Sequence, residues 1–316
     1  PLASSDFKTG KTTAVAGTKY VWGANIGYLG CDGYWPSGPV CPTATLTTTT
    51  FPLVPAKESS SAGCYLSASS TGWWVNGAAM FSSSDASSYN SLGIWYNNAP
   101  VFEQYSMDVC NGHAANGVYH HHHYPKCLGE VLKDTGSSHS LVWGWGNDGI
   151  PLYGPYQAQS TLAVSCWQKR DYSSKATGCT GGSRTCILVD QYDYTKGTTT
   201  LTSANYGPSF TSSVGPVVMA NGAYFQDYFY NSTCAAKGDA YLDSYNGHSH
   251  GNYGYHYHLT IDSTGTATFP YTFGPKYYGC YQGPCCTSLS TSSCTGTSTC
   301  STTSLLGKPL NSQLCS

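Results

Sequence analysis

Two stretches of this chain gather imidazoles in a pattern that could hold a metal ion. The first reads Asp108-x-x-Asn111-Gly112-His113 and then, after a short glycine-containing spacer, Tyr119-His120-His121-His122. The second reads Asp243-x-x-Asn246-Gly247-His248 and then Tyr255-His256-Tyr257-His258. Nine of the ten histidines lie in or beside these two copies, a concentration that marks a site and not a scattered surface. On an extended strand residues i and i+2 project from one face, so His120 with His122, and His256 with His258, are predicted to present their rings side by side. Neutral imidazole is the commonest protein ligand for transition metals. The predicted ligand sets are His113, His120 and His122 in the first copy and His248, His256 and His258 in the second; the pattern is compatible with two sites or with one shared site. All-nitrogen ligation favours copper or zinc over calcium or magnesium, which prefer oxygen. A core of histidines and tyrosines bonded to one another is the bland alternative, and duplication of the whole pattern weighs against it.

Other polar residues have less specific signatures. Asp108 and Asp243 could orient a ligating His through its second ring nitrogen. Equally, Asp and Asn in Asp-x-x-Asn-Gly fold a tight turn, with Gly112 and Gly247 expected at positive φ. His121 and His123 fall on the opposite strand face from His120 and His122, which predicts packing or solvent contact for them. His139 is a further candidate ligand. Asp148-Gly149 reads as a β-turn within Trp143 to Tyr153, and Asp262 is a remaining polar candidate. No nucleophile elbow, phosphate loop or zincin helix motif occurs.

The elements that must carry these residues are short strands. Glycine, proline, serine and asparagine interrupt helical periodicity nearly everywhere, while β-branched and aromatic runs bounded by turn residues recur: Thr18 to Trp22, Gly72 to Val75, Ile94 to Tyr96, Ser140 to Trp145, Cys186 to Val189, Val217 to Met219, Tyr255 to Ile261 and Thr266 to Phe269. This predicts a mostly β fold: one pseudo-symmetric β-rich domain with two related His-motif segments, stapled by disulfides. The expected organisation is an N-terminal β-rich extension with a Thr-rich loop over 1–92, a two-motif domain over 93–284, and a Cys/Ser/Thr-rich tail over 285–316 that docks on the core or on a neighbour.

Composition narrows the function class. Charged residues are only 9% of the chain, well below the roughly 25% usual in globular domains. With 14 basic against 16 acidic residues there is no cationic footprint for nucleic acid. Fifteen cysteines without zinc-finger spacing read as a disulfide framework made in an oxidising compartment, which predicts a secreted protein; the odd number leaves one thiol for an intermolecular bridge. Cys110 and Cys127 flank the first motif and are expected to pair. The chain opens at Pro1 without a basic and apolar leader, as expected of a mature secreted form, and no apolar run approaches the roughly 20 residues of a membrane span. Asn231-Ser232-Thr233 is an N-glycosylation sequon, and the Ser/Thr tracts at Thr43 to Thr50 and Thr287 to Ser304 are candidates for O-linked glycan.

These motifs resemble those of the YHYH family. The likeness covers roughly residues 93–283. It takes in Cys110-Asn111-Gly112-His113, Tyr119 to Cys127-Leu128, His139-Ser140, Asp148 to Pro155, the second His motif, Phe269-Pro270-Tyr271 and Gly279-Cys280-Tyr281. His121 stands where the family usually has a second Tyr, and Tyr245 where it usually has a Cys. The resemblance implies a secreted protein and brings no defined reaction with it. Low charge, the odd cysteine and the Ser/Thr tail suggest a secreted, glycosylated structural subunit of an extracellular assembly, self-associating or bound to a matrix partner, with the His motifs as internal metal clamps. An extracellular copper or zinc metalloenzyme and a metal-capture protein are the alternatives.

Overall fold

Strands in this chain stay short because turn-forming residues interrupt them, and burial comes from lining many of them up. In the computed structural model residues 42–43, 47–52, 54–58, 63–174, 179, 181–283 and 285–286 are described, with the backbone of 300–305. The expected strand at Thr18 to Trp22, and most of the Ser/Thr-rich tail, lie outside the described residues. Strands β1 (Ser70–Trp74), β2 (Ala79–Phe81), β3 (His113–Ala115), β4 (Val118–His121), β5 (Val142–Gly146), β6 (Pro151–Tyr153), β7 (Gly247–Ser249) and β8 (Tyr255–His258) form one open sheet. Their spatial order is β7-β8-β6-β5-β1-β2-β4-β3.

That order reads alike from either edge. β1 and β5 meet antiparallel at the centre, with Trp73 opposite Trp145, and each forms a hairpin with the strand that follows it. Beyond, β4 runs parallel to β2 and β8 parallel to β6, and each is flanked by its antiparallel partner, β3 or β7. The registers correspond as well: Met80 lies opposite His121 and Leu152 opposite Tyr257. Strands β1 and β2 precede residue 93 and the others follow it, so the sheet draws on both sides of that position.

β8 falls within an expected run, and β1 and β5 overlap theirs, β1 beginning two residues early and β5 ending one residue late. Two other runs form hairpins away from this sheet: Cys186–Leu188 pairs with Thr198–Thr200, and Val217–Val218 with Ser213–Val214. The segment Thr266 to Phe269 is not a strand. The carboxylate of Asp262 accepts from Thr264 N at 2.8 Å and Thr266 N at 3.0 Å and turns the chain there, leaving a single bridge between Ile261 and Ala267. In the third expected run, Ile94 to Tyr96, the strand begins only at the last residue and continues to Asn98.

The core under the sheet is aromatic. Trp74, Met80, Trp143, Leu152, Tyr255, Tyr257, Leu259, Phe273 and Tyr277 form one buried cluster. A second layer, inserted between β6 and β7, packs Tyr172, Met219 and Tyr224 with Trp95. Within it Arg184 donates from Nε and Nη2 to Asp227 at 2.8 and 2.7 Å, a bidentate pair whose carboxylate also accepts from Gly222 N and Tyr224 N, so the buried charges are fully bonded. Disulfides join Cys64 to Cys285, Cys110 to Cys127, Cys166 to Cys234 and Cys179 to Cys186. The segment Cys300–Leu305 pairs antiparallel with Ala56–Glu58. Among the described residues no helix is long and apolar enough to cross a membrane.

Candidate metal centres

Each His motif folds by one local device. Asp108 Oδ1 accepts from Cys110 N at 2.9 Å and Gly112 N at 3.0 Å, and its Oδ2 accepts from the Tyr119 hydroxyl at 2.8 Å. In the second copy Asp243 Oδ1 accepts from Tyr245 N at 2.9 Å and Gly247 N at 3.1 Å, and Oδ2 from the Tyr255 hydroxyl at 2.8 Å. The aspartate thus ties the turn to the first Tyr of the following strand. Neither carboxylate bonds a ligand histidine in these contacts; of the two expected roles, the turn is the one present. The positive φ, however, lies one residue earlier than expected, at Asn111 (65°) and Asn246 (66°). Asparagine is among the few residues that enter the left-handed region readily, and here its side chain is also held from outside the turn: Asn111 donates to Tyr124 O, and Asn246 to His258 O and Thr272 O. Gly112 and Gly247 are needed for another reason, since a Cβ at either would collide with the Tyr119 or Tyr255 hydroxyl.

The two motifs end up on opposite edges of the sheet and build two clusters. In the first, His113, His120 and His122 converge with Glu103. His122 Nε2 stands 3.1 Å from His120 Nε2 and 3.4 Å from His113 Nε2, while Glu103 Oε2 lies 2.8 Å from His113 Nε2 and 3.1 Å from His122 Nε2. The outer ring nitrogens are already spent. His120 Nδ1 donates to Val118 O at 2.9 Å and His122 Nδ1 to Ser82 O at 2.6 Å. Ser106 Oγ gives its proton to Glu103 O, so it accepts from His113 Nδ1. A carbonyl can only accept, which puts the proton on Nδ1 and turns the Nε2 lone pairs toward one another.

In the second cluster His139, His256 and His258 converge, and His248 stands beside them with its ring 4.8 Å from that of His256 and 5.1 Å from that of His258. His256 Nε2 lies 3.1 Å from His258 Nε2 and 3.3 Å from His139 Nε2. The same proton placement recurs: Nδ1 of His256 donates to Gly254 O, of His258 to Gly154 O, of His139 to Ser140 O and of His248 to Asp239 O. Two of these acceptors correspond between copies, since Ser82 and Gly154 each follow the strand next to the motif. So does the ring wall: Phe81 stacks on His120 at 3.8 Å, and Tyr153 meets His256 edge-on at 4.8 Å.

Burial keeps most of these rings neutral. It pushes His120 down to about 2, His256 to about 3 and His248 to about 4, and holds His258 well below the usual imidazole range. The first cluster differs. Burial opposes charge on Glu103, yet the His122 and His113 imidazoles hold its carboxyl well below the usual range; burial likewise opposes charge on His122, and Glu103 overcomes it and raises that imidazole.

A family model described as YHYH protein matches residues 48–270. The chain belongs to that family. The match begins well before the first His motif and so includes β1 and β2, which complete the first half of the sheet. No curated protein and no solved structure matches the chain.

Some roles in this YHYH protein were not readable from the motifs. Glu103 carries no signal beyond being an acidic residue ten positions before His113. It is placed by α1 (Ala99–Phe102), whose Phe102 packs on Tyr224 at 5.3 Å while Asn98 bonds Ala223 O and Gly222 O in the second layer. Asp148 is buried in its turn and accepts from the Tyr257 hydroxyl at 2.7 Å and Gly279 N at 2.9 Å, which makes it an anchor for the second Tyr of the motif. His121, at the position matching Tyr257, packs edge-on against Trp74 and Tyr119. It lines a cavity of about 310 Å³ beside the Cys110–Cys127 bridge. His123 packs near Tyr271. Asn231 caps the short helix Ser232–Ala235, its Oδ1 accepting from Thr233 N at 3.1 Å.

Proposed function

We propose that this protein binds two transition-metal ions, copper or zinc, one at each His cluster, and that the ions clamp the outer hairpins of the sheet of a secreted structural protein. One observation carries the reading: in both clusters every Nδ1 of the converging rings is bonded to a protein acceptor, which leaves three Nε2 atoms turned toward one another with contacts of 3.1 to 3.4 Å, joined in the first cluster by the Glu103 carboxylate. Facing lone pairs in a buried site repel, and a cation removes the repulsion by accepting all of them. Imidazole ligands, with a carboxylate in one cluster, suit zinc and copper better than calcium. The carbonyl acceptors are the outer-shell partners that commonly orient metal-bound imidazoles.

The wider reading, an extracellular glycosylated subunit that assembles with copies of itself or with a matrix, draws on the disulfides, the low charge and the sequon at Asn231. The test is elemental analysis of protein purified without chelator, with X-ray absorption to count ligands. About two ions per chain are expected, falling to one when both His120 and His122, or both His256 and His258, become alanine. Protein that holds no ion and gains no thermal stability from added zinc or copper would defeat the proposal. A water molecule in the coordination sphere would shift it toward a metalloenzyme.

A further inference from the structure

The two hairpins that carry the clusters differ in their tips. Only Asn116 and Gly117 separate β3 from β4, whereas residues 250–254 separate β7 from β8. The longer tip adds two rings to the second cluster, His250 and Tyr253. His250 sits two residues after His248 and so on its face of the strand; the matching residue in the first hairpin is Ala115. The His250 ring is 5.5 Å from that of His248 and 5.9 Å from that of His139, nearly parallel to both. Tyr253 stacks on His139 at 4.0 Å and is 37% exposed, so this rim faces solvent.

Two nitrogens at this rim are buried without a hydrogen-bond partner, His248 Nε2 and His250 Nδ1. No protein group consumes either lone pair or proton. The His248 ring is in contact with two of the inner three, His256 and His258. His250 lies one ring farther out: it is outside the inner set and neighbours one of its members, His139, together with His248.

We propose that His250 is an outer ligand through which a zinc or copper ion enters and leaves the second cluster, so that this cluster exchanges its ion while the first retains it. The inference rests on the metal-binding reading above. An ion leaving a set of buried imidazoles loses ligands one at a time, and a neighbouring imidazole that replaces each lost ligand keeps every step short of a bare ion. The first cluster has no imidazole at the matching position. Its fourth partner, Glu103, is engaged by two imidazoles at 2.8 and 3.1 Å, and Ala115 offers no ligand atom at the position of His250.

Zinc-loaded full-length protein, its bound zinc counted beforehand, is mixed with an excess of a chromophoric chelator and release is followed by absorbance. Two phases of about one ion each are expected, the fast one absent from the His256→Ala, His258→Ala protein. His250→Ala and His250→Phe should both slow the fast phase, by roughly tenfold, equivalent to about 1.4 kcal/mol in the barrier to release, and leave the slow phase unchanged. Ala115→His should speed the slow phase. An unchanged fast phase in both His250 variants overturns the proposal, and so does acceleration, which would make the ring a lid. Protein with no zinc before the chelator is added defeats the metal reading itself, a result distinct from either.

Discussion

The two halves of the sheet share strand order, register, turn and proton placement, yet they close their clusters differently. In the first half a carboxylate completes the set, carried by a short helix that leans on the inserted layer; in the second the completing group is an imidazole, His139 from the lead into β5, and the motif's own His248 stands beside the set. The motif is thus a device for presenting Nε2 atoms, three in the first copy and two in the second, and what joins them is left to whichever neighbouring segment packs there. A carboxylate brings negative charge into the first cluster and raises the His122 imidazole, whereas burial lowers His256, His248 and His258 in the second.

The largest effect should come from the ions. At free metal about a thousandfold above the dissociation constant, each occupied site stabilises the fold by about 4 kcal/mol. Calorimetry of the His120→Ala, His122→Ala and His256→Ala, His258→Ala proteins should show each losing one such share on metal addition. If either pair leaves the metal-dependent gain whole, the clusters are not equivalent centres.

Acidification separates the halves next. His256 and His248 have folded values depressed from 6.5 to about 3 and about 4, so the stability they contribute is present above pH 6.5 and lost as pH falls toward those values. Asp243 and Asp148, raised by burial from 3.8 to about 6, act in the opposite direction, adding stability below the usual carboxylate range that is lost as pH rises to about 6. The imidazole shifts are the larger, so chelator-treated protein should lose stability between pH 6.5 and 4. In the first half His120, lowered to about 2, contributes a loss of the same sign, which the raised His122 offsets in part. Denaturant midpoints across that range, with hydrogen exchange at β4 and β8, check both statements; a flat profile contradicts them.

The bridge between Cys110 and Cys127 belongs to the first half alone, and Tyr245, at the position of Cys110, instead packs on Tyr278. Replacing both cysteines by alanine should cost about 3 kcal/mol, the entropy of a loop of this size. Urea unfolding measures it, and β3 and β4 should lose exchange protection while β7 and β8 keep theirs.

The smallest contrast concerns the face opposite the ligands. Tyr257→Phe removes a donor from buried Asp148 and should cost about 1 to 3 kcal/mol, whereas His121→Phe removes a buried Nδ1 that has no partner and should be within about 1 kcal/mol of neutral. Equal costs in urea unfolding would mean that the two positions are held alike.

The local chemistry was legible because it depends on neighbours along the chain. Period-two spacing puts His120 with His122 and His256 with His258, Asp-x-x-Asn-Gly folds its turn whatever surrounds it, and aromatic runs between turn residues become strands. Even there one detail escaped: the left-handed residue is Asn, because Gly is reserved for the approach of a tyrosine hydroxyl that comes from the next strand. Glu103 was invisible for a related reason. Nothing adjacent in sequence distinguishes it, and its place follows from Phe102 packing on Tyr224, more than a hundred residues away.

By itself, then, the sequence determined the family, the mostly β character and the six imidazoles of the two motifs. Tertiary structure alone decided that they make two clusters and not one. β1 and β5 pair at the centre of the sheet, which sends the two hairpins to opposite edges, and a strand's position in a sheet depends on pairings between distant segments that no local pattern encodes. It also decided the partners of those imidazoles, Glu103 in one cluster and His139 in the other, because a side chain completes a buried polar set only where packing of the whole chain delivers it within reach of the lone pairs.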